Sequence, residues 1–181
     1  MRIIDFFDRA VRQFGERACL IDADTTLTYQ QTQAESGRVA NYLRTVGVAE
    51  GEKVGILAPN CAPAFAAILG VMRARCVWVP LNSRNSVNDI VQFLKMVDCT
   101  TLVYHADFKD LIPEFEAACP GLTNYVSLED RRWEQEGERY TDRLDWNEDD
   151  VVSVFSTGGT TGAPKAAVWC HKTWQAMITN F

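Results

Sequence analysis

The apolar positions of this chain change repeatedly between two spacings, which predicts an alternation of helices and strands. From Val39 they recur at intervals of three and four, in Tyr42, Leu43 and Val46, as on one face of a helix. Short continuous apolar runs, such as residues 53–58, predict buried strands instead. This alternation is typical of a mainly parallel β-sheet flanked by helices, so we predict a fold of the α/β class.

Capping and turn signals give the predicted elements their bounds. Thr28 and Gln31 have the spacing of a capping box, so a helix is predicted to begin near Tyr29. The predicted helices are Ile3–Phe14, the helix from Tyr29 to about Gly47, residues 63–72, a helix capped by Ser86 and Asp89, a short helix within residues 108–118, and residues 172–181. The predicted strands are residues 19–21, Thr26–Thr28, 53–58, 76–80, 101–104, 125–128 and 151–155.

Composition excludes several classes of protein. The 181 residues are 47% hydrophobic and 23% charged, which is not the composition of a disordered chain. The net charge of -6, without a basic stripe, argues against nucleic acid as a partner. Six cysteines without a CxxC pair predict neither a zinc site nor disulfides but reduced thiols in a cytoplasmic protein. The longest uncharged run, residues 54–72, is broken by Pro59 and Pro63, so no transmembrane segment is predicted.

The negative charge is concentrated in one segment. Residues 129–150 contain ten acidic residues and four arginines, and the rest of the chain is balanced. An acidic docking surface is one interpretation, and a solvated connector is the one we favour. We therefore divide the chain into an amino-terminal α/β subdomain (1–128), an acidic connector (129–150) and the start of a further α/β segment (151–181).

The segment with the clearest chemical information is STGGTTGAPK, residues 156–165, directly after a predicted strand. Its glycines allow backbone N–H groups to approach an anion closely, and successive N–H groups in such a turn form a concave set of donors. The threonine hydroxyls add donors, and Lys165 adds a positive charge. The segment is not a P-loop, because Pro164 replaces the glycine before the lysine and Ala166 follows it. We predict that it binds the polyphosphate of a nucleotide rather than forming an ordinary turn.

At this point the sequence resembles a known family. Residues 154–165 match the AMP-binding signature of the adenylate-forming enzymes, and residues 27–82 resemble the amino-terminal pattern of that family, including its V-P-L-N strand. Two positions depart from the pattern: Ala166 stands where a glycine commonly follows the lysine, and Arg75 stands where the family often has glycine. The resemblance implies that the following residues bind the phosphates of ATP: Thr157, Gly158, Gly159, Thr160, Thr161, Gly162 and Lys165.

The resemblance also implies a reaction. Enzymes of this family join a carboxylic acid to ATP, release pyrophosphate, and transfer the acyl group from AMP to a thiol, usually that of coenzyme A, with Mg²⁺ accompanying the ATP. We expect the amino-terminal part of an acyl-CoA synthetase for a fatty or related carboxylic acid, with no catalytic residue within this chain and no activity of the chain alone. The alternatives are an adenylation domain of a peptide synthetase, which would load a carrier protein, and a non-catalytic nucleotide-binding module.

Residues that follow the signature are considered mainly for structural roles. For His171, a packing or helix-start role stands beside a catalytic one, so His171 is left out of the catalytic set. Trp169 and Trp174 are expected to belong to a core or an interface. Apolar residues of the last predicted helix lack a cover, so self-association into a homo-oligomer is a further hypothesis.

Overall fold

Helices and strands alternate along the chain nearly as the hydrophobic pattern predicts. The computed structural model describes residues 1–23, 25–129, 133, 145–157 and 165–180. The helices are α1 (Ile3–Phe14), α2 (Tyr29–Thr45), α3 (Ala62–Arg73), α4 (Val87–Met96), α5 (Ile112–Ala118) and α6 (His171–Thr179), and a 3-10 helix (Ala106–Leu111) leads into α5. The strands are β1 (Ala18–Ile21), β2 (Thr26–Thr28), β3 (Lys53–Leu57), β4 (Val77–Pro80), β5 (Cys99–Tyr104), β6 (Asn124–Ser127), β7 (Val151–Thr157) and β8 (Lys165–Cys170).

The main sheet has six strands in the order β6-β5-β3-β4-β7-β8. The pairs β6–β5, β5–β3, β3–β4 and β4–β7 are parallel, and β8 returns antiparallel to β7. Strands β1 and β2 form a separate antiparallel pair. The predicted α/β class with a mainly parallel sheet is therefore confirmed.

Both faces of this sheet are covered by helices. On one face, Val54 and Ile56 of β3 pack in a core with residues of α2 and α3. On the other face, Val77 and Val79 of β4 pack in a second core with residues of α4 and α5. Burial on both faces explains why the inner strands have continuous apolar runs rather than alternating ones.

Helices α1, α2 and α3 are held together by one close approach and one buried ion pair. A Cβ added to Gly70 of α3 would lie 2.5 Å from Cγ1 of Val39, so only glycine allows this distance between α2 and α3. At the end of α3, Arg73 forms a bidentate ion pair with Asp8 of α1 and donates to Oγ of Ser36 in α2 at 2.8 Å. A buried polar contact therefore connects all three helices.

The main difference from the predicted elements is β8. The hydrophobic pattern does not predict residues 165–170 as a strand, because apolar and polar positions alternate only weakly there. In the structure, β8 is half-exposed. Pro113 lies in the first turn of α5, where proline is tolerated. Among the described residues, no helix combines the length and the apolar character needed to cross a membrane.

The acidic segment 129–150 makes definite contacts where the structure describes it. Trp133 is buried in the core beside Tyr42, with 6.2 Å between the ring centroids. Asp145 and Asp150 form ion pairs with Arg75, at 3.2 and 3.7 Å. Nevertheless, the proposed division into residues 1–128, 129–150 and 151–181 stays a prediction.

Candidate functional site

The direction of the parallel strands determines where the candidate site lies. Because β3, β4 and β7 are parallel, their carboxyl ends lie at the same edge of the sheet, at Leu57, Pro80 and Thr157. Ligands of open α/β sheets bind in the crevice beside this edge. The predicted phosphate-binding segment follows β7 directly, so it leaves the sheet at the edge where such ligands bind.

Two of the predicted site residues are described, and the fold brings them together. Thr157 and Lys165 are opposite each other in the last pair of the β7–β8 hairpin. The hydroxyl of Thr157 donates to the backbone carbonyl of Lys165 at 3.2 Å, and both residues are exposed. The other predicted residues lie outside the described residues: Gly158, Gly159, Thr160, Thr161 and Gly162. The phosphate-binding role of all seven stays a prediction.

The position after the lysine does not need glycine in this chain. Ala166 lies in β8, opposite Ser156 of β7. Among the described residues, the non-glycine residues with a positive φ are Arg75 and Asp98, so Ala166 has ordinary extended backbone. This departure from the family pattern therefore introduces no local backbone strain after Lys165.

The other departure, Arg75, lies at a position with a backbone conformation that favours glycine. Its φ is 60°, in the left-handed region that favours glycine, which accounts for the glycine common in the family. Its carbonyl accepts from the N–H of Gly51 at 2.8 Å, and its guanidinium pairs with Glu50 as well as with Asp145 and Asp150. Compared with glycine, Arg75 adds backbone strain and gains ion pairs. It lies at the amino edge of the sheet, opposite the predicted site.

A cavity of about 350 Å³ opens at the carboxyl edge of β3 and β4. Its walls are mainly apolar, with Ile56, Phe65, Ile68 and Trp78 among them. At its mouth, Asp22 accepts from the N–H of Thr25 at 2.8 Å and from the N–H of Ala62 at 2.7 Å. Sequence reasoning missed this cavity, because residues from β1, β3, α3 and β4 form it together and no motif marks them.

The thiols do not provide a nucleophile at this edge. All six cysteines are free. Cys61 lines the cavity, but burial raises the pKa of its thiol, so it is protonated at neutral pH. Buried Cys76 and Cys99 have thiol pKa values raised by burial to about 12. Among the described residues, no cluster of three or more His, Cys, Asp or Glu side chains is arranged to bind a metal ion.

His171 has the structural role that its position predicts. It is the first residue of α6, and its Nδ1 accepts from the N–H of Ile3 at 3.1 Å. Its ring meets Trp146 edge-on, with 5.5 Å between the centroids. Burial lowers the pKa of His171, which favours the neutral ring that this hydrogen bond requires.

Comparison with known proteins identifies a family and several relatives. The family described as "AMP-binding enzyme" matches residues 7–181. A 3-oxocholest-4-en-26-oate–CoA ligase of Rhodococcus rhodochrous is 27% identical over 98% of this chain and 34% of its own length. A beauvericin nonribosomal cyclodepsipeptide synthetase of Gibberella fujikuroi is 24% identical over 98% of this chain and 6% of its own length.

A solved structure supports the same fold. The anthranilate CoA ligase in complex with anthranoyl-AMP superposes with a TM-score of 0.90 at 22% identity, covering 99% of this chain and 35% of that one. The chain thus spans about a third of the length of the CoA ligases that it matches. From the match over nearly all its residues, we conclude that the chain belongs to the AMP-binding enzyme family.

Proposed function

We propose that the protein carrying this chain is an AMP-forming acyl-CoA ligase, and that this chain contributes the phosphate-binding hairpin. The observation that carries the proposal is the meeting of Thr157 and Lys165 at the carboxyl end of β7. This pairing brings together the two residues that flank the glycine- and threonine-rich segment 158–164, at the edge where α/β sheets bind ligands. The Rhodococcus relative, named as a CoA ligase, supports the same assignment.

In the proposed reaction, a carboxylate oxygen of the acid attacks the α-phosphorus of ATP. A bond forms between that oxygen and phosphorus, the bond from the α-phosphorus to the bridging oxygen breaks, and pyrophosphate leaves. The thiol of coenzyme A then attacks the acyl carbonyl, AMP leaves, and the thioester forms. The acid is proposed to be a fatty or related carboxylic acid.

The proposed contribution of this chain is electrostatic. Lys165 would place its ammonium group beside the β- and γ-phosphates, and Thr157 to Gly162 would add hydroxyl and amide donors. Such preorganised donors stabilise the charge that develops on the leaving pyrophosphate. Magnesium stays part of the proposal as a companion of ATP, because Mg²⁺ is commonly bound through substrate phosphates and retains several waters.

The experiment is exchange of radioactive pyrophosphate into ATP in the presence of carboxylic acids. We expect Lys165→Ala to lower the exchange rate by about 10²–10³, as loss of one stabilising donor typically does. Lys109→Ala is the matched control, because Lys109 is an exposed lysine in the 3-10 helix. Exchange at the wild-type rate in Lys165→Ala would rule out the proposed role of this lysine.

A peptide-synthetase adenylation domain is the second candidate, supported by the similarity to the cyclodepsipeptide synthetase. The two candidates differ in the thiol acceptor, and both predict pyrophosphate exchange. Release of AMP that depends on coenzyme A favours the ligase, whereas release that depends on a carrier protein favours the adenylation domain. ATP binding without any exchange would favour a non-catalytic nucleotide-binding module instead.

A further inference from the structure

Four aromatic side chains cross one face of the sheet from its interior to its edge: Trp78 in β4, Phe155 in β7, Trp169 in β8 and Trp174 in α6. We refer to them as the aromatic row. Ring centroids lie 5.5 Å apart from Trp78 to Phe155, 5.3 Å from Phe155 to Trp169, and 5.2 Å from Trp169 to Trp174. These distances are within the range of favourable aromatic pairs. The row therefore connects the β7–β8 hairpin to an inner strand on one side and to α6 on the other.

One hydrogen bond joins the aromatic row to β7. Nε1–H of Trp174 donates to Oγ of Ser153 at 3.0 Å. Ser153 is fully buried and lies opposite both Trp78 and Trp169 in the sheet register. A buried hydroxyl without a partner is costly, so this hydrogen bond favours the observed position of α6 on β7.

Helix α6 is itself attached to the body of the protein at its first turn. The N–H of His171 donates to the carbonyl of Asp150 at 3.2 Å, and the N–H of Lys172 donates to that of Glu148 at 3.0 Å. The N–H of Ile3 in α1 donates to Nδ1 of His171. The N–H of Trp174 that donates to Ser153 therefore belongs to a helix whose first turn is hydrogen-bonded to the rest of the protein.

The β7–β8 hairpin lies at one edge of the sheet. β8 is the edge strand, and β7 is its neighbour in the described sheet. Phe155 pairs with Ala167 two residues before the last described pair, Thr157 and Lys165, which is about 7 Å at the usual rise of a strand. The aromatic row therefore packs on the hairpin two residues before its last described pair.

We propose that Trp174 is a positioning residue for the phosphate-binding segment and acts through Ser153 and the β7–β8 hairpin. This inference rests on the proposed function, in which residues 157–165 bind the phosphates of ATP. Fixing the two ends of the segment raises the fraction of molecules whose donors are ready for the anion, and apparent affinity is proportional to that fraction. Trp174 would thus affect ATP affinity without touching ATP.

The test compares three substitutions. Trp174→Phe keeps an aromatic ring and removes the N–H donor, and Ser153→Ala removes the acceptor. Trp133→Phe is the matched control, because it makes the same chemical change in a buried tryptophan that packs on Tyr42 rather than on the aromatic row. For each variant, the ATP dissociation constant, the free energy of unfolding, and the hydrogen exchange of amides at residues 155–157 and 165–167 are measured.

We expect Trp174→Phe and Ser153→Ala each to weaken ATP binding about two- to tenfold, the factor that corresponds to one net hydrogen bond. Amide exchange at the end of the hairpin should accelerate by a similar factor, and the double variant should add little to either single one. Trp133→Phe should reduce the free energy of unfolding and leave ATP affinity and hairpin exchange unchanged.

The outcomes separate this inference from the proposed function. If Lys165→Ala weakens ATP binding and Trp174→Phe does not, the positioning role is overturned and the proposed function stands. If Trp133→Phe weakens ATP binding as much as Trp174→Phe, the effect is general destabilisation and the inference is overturned. If the wild-type protein binds no ATP, both are overturned.

Discussion

The buried ion pair between Arg73 and Asp8 gives the sharpest prediction on stability. The Arg73 side chain is 4% exposed and that of Asp8 13%. Substituting Arg73 with alanine removes the bidentate partner of the carboxylate and leaves it one described hydrogen bond, from Nε2 of Gln33 at 2.8 Å. It also leaves the hydroxyl of Ser36 without the guanidinium that it accepts from. Arg73→Ala therefore creates a buried and poorly compensated charge.

The expected magnitude follows from that burial. Removing one partner of a buried pair costs about 3–5 kcal/mol, which is a third or more of the stability of many domains. Replacing both partners by apolar residues, in Asp8→Leu with Arg73→Met, should be neutral or stabilising by up to about 4 kcal/mol, because no charge is then left in the core. The two results together distinguish a costly unpaired charge from a pair that is favourable in itself.

Urea denaturation measures both quantities, with Arg38→Ala as the control. Arg38 also pairs with a carboxylate, that of Glu35 at 2.8 Å, but its side chain is 41% exposed. Arg38→Ala should lower the free energy of unfolding by less than about 1 kcal/mol. If Arg73→Ala lowers the free energy of unfolding no more than Arg38→Ala, the reasoning is refuted. That result would mean that water solvates the Asp8 carboxylate as it solvates a surface carboxylate.

Two further predictions concern the amino edge of the sheet. Arg75→Gly and Arg75→Ala remove the same ion pairs, but glycine accepts a φ of 60° without strain, so the glycine variant should be more stable by about 0.5–1 kcal/mol in urea denaturation. Equal stabilities would contradict a strained Arg75. His171 has a pKa lowered from 6.5 by burial, so its contribution is present above that pH and is lost as the pH falls through the folded pKa. The stability of the wild type should therefore fall more steeply below pH 6.5 than that of His171→Asn, and parallel curves would exclude the effect.

Elements that are specified locally could be predicted from the sequence. α1 has the predicted bounds, Ile3–Phe14, because its apolar stripe and polar face recur within one continuous segment. The capping box at Thr28 and Gln31 forms both of its reciprocal hydrogen bonds, at 3.2 and 2.8 Å. Each of these signals involves residues three or four positions apart, so a single sequence contains all the information needed.

Features that depend on distant residues could not be predicted. The pair of Arg73 and Asp8 joins positions 65 residues apart, and each residue alone resembles an ordinary charge on a helix. The left-handed backbone of Arg75 was not predicted either, because an arginine gives no local signal for it. At the candidate site, the sequence predicted Thr157 and Lys165 as residues of one segment, but their pairing depends on β8, whose pattern is too weak to identify an edge strand.

The strand after the candidate loop changes how an anion would be stabilised there. In a P-loop, a helix follows the glycine-rich turn and its amino terminus adds a positive dipole at the phosphates. Here β8 follows, and α6 begins only at His171, about 20 Å from Lys165 at the rise of a strand. A dipole at that distance is screened, since the Debye length at physiological ionic strength is about 8 Å. If residues 157–165 bind phosphates as proposed, the positive charge at the loop must come mainly from Lys165 and from amide and hydroxyl donors, which is why a single lysine substitution should have so large an effect.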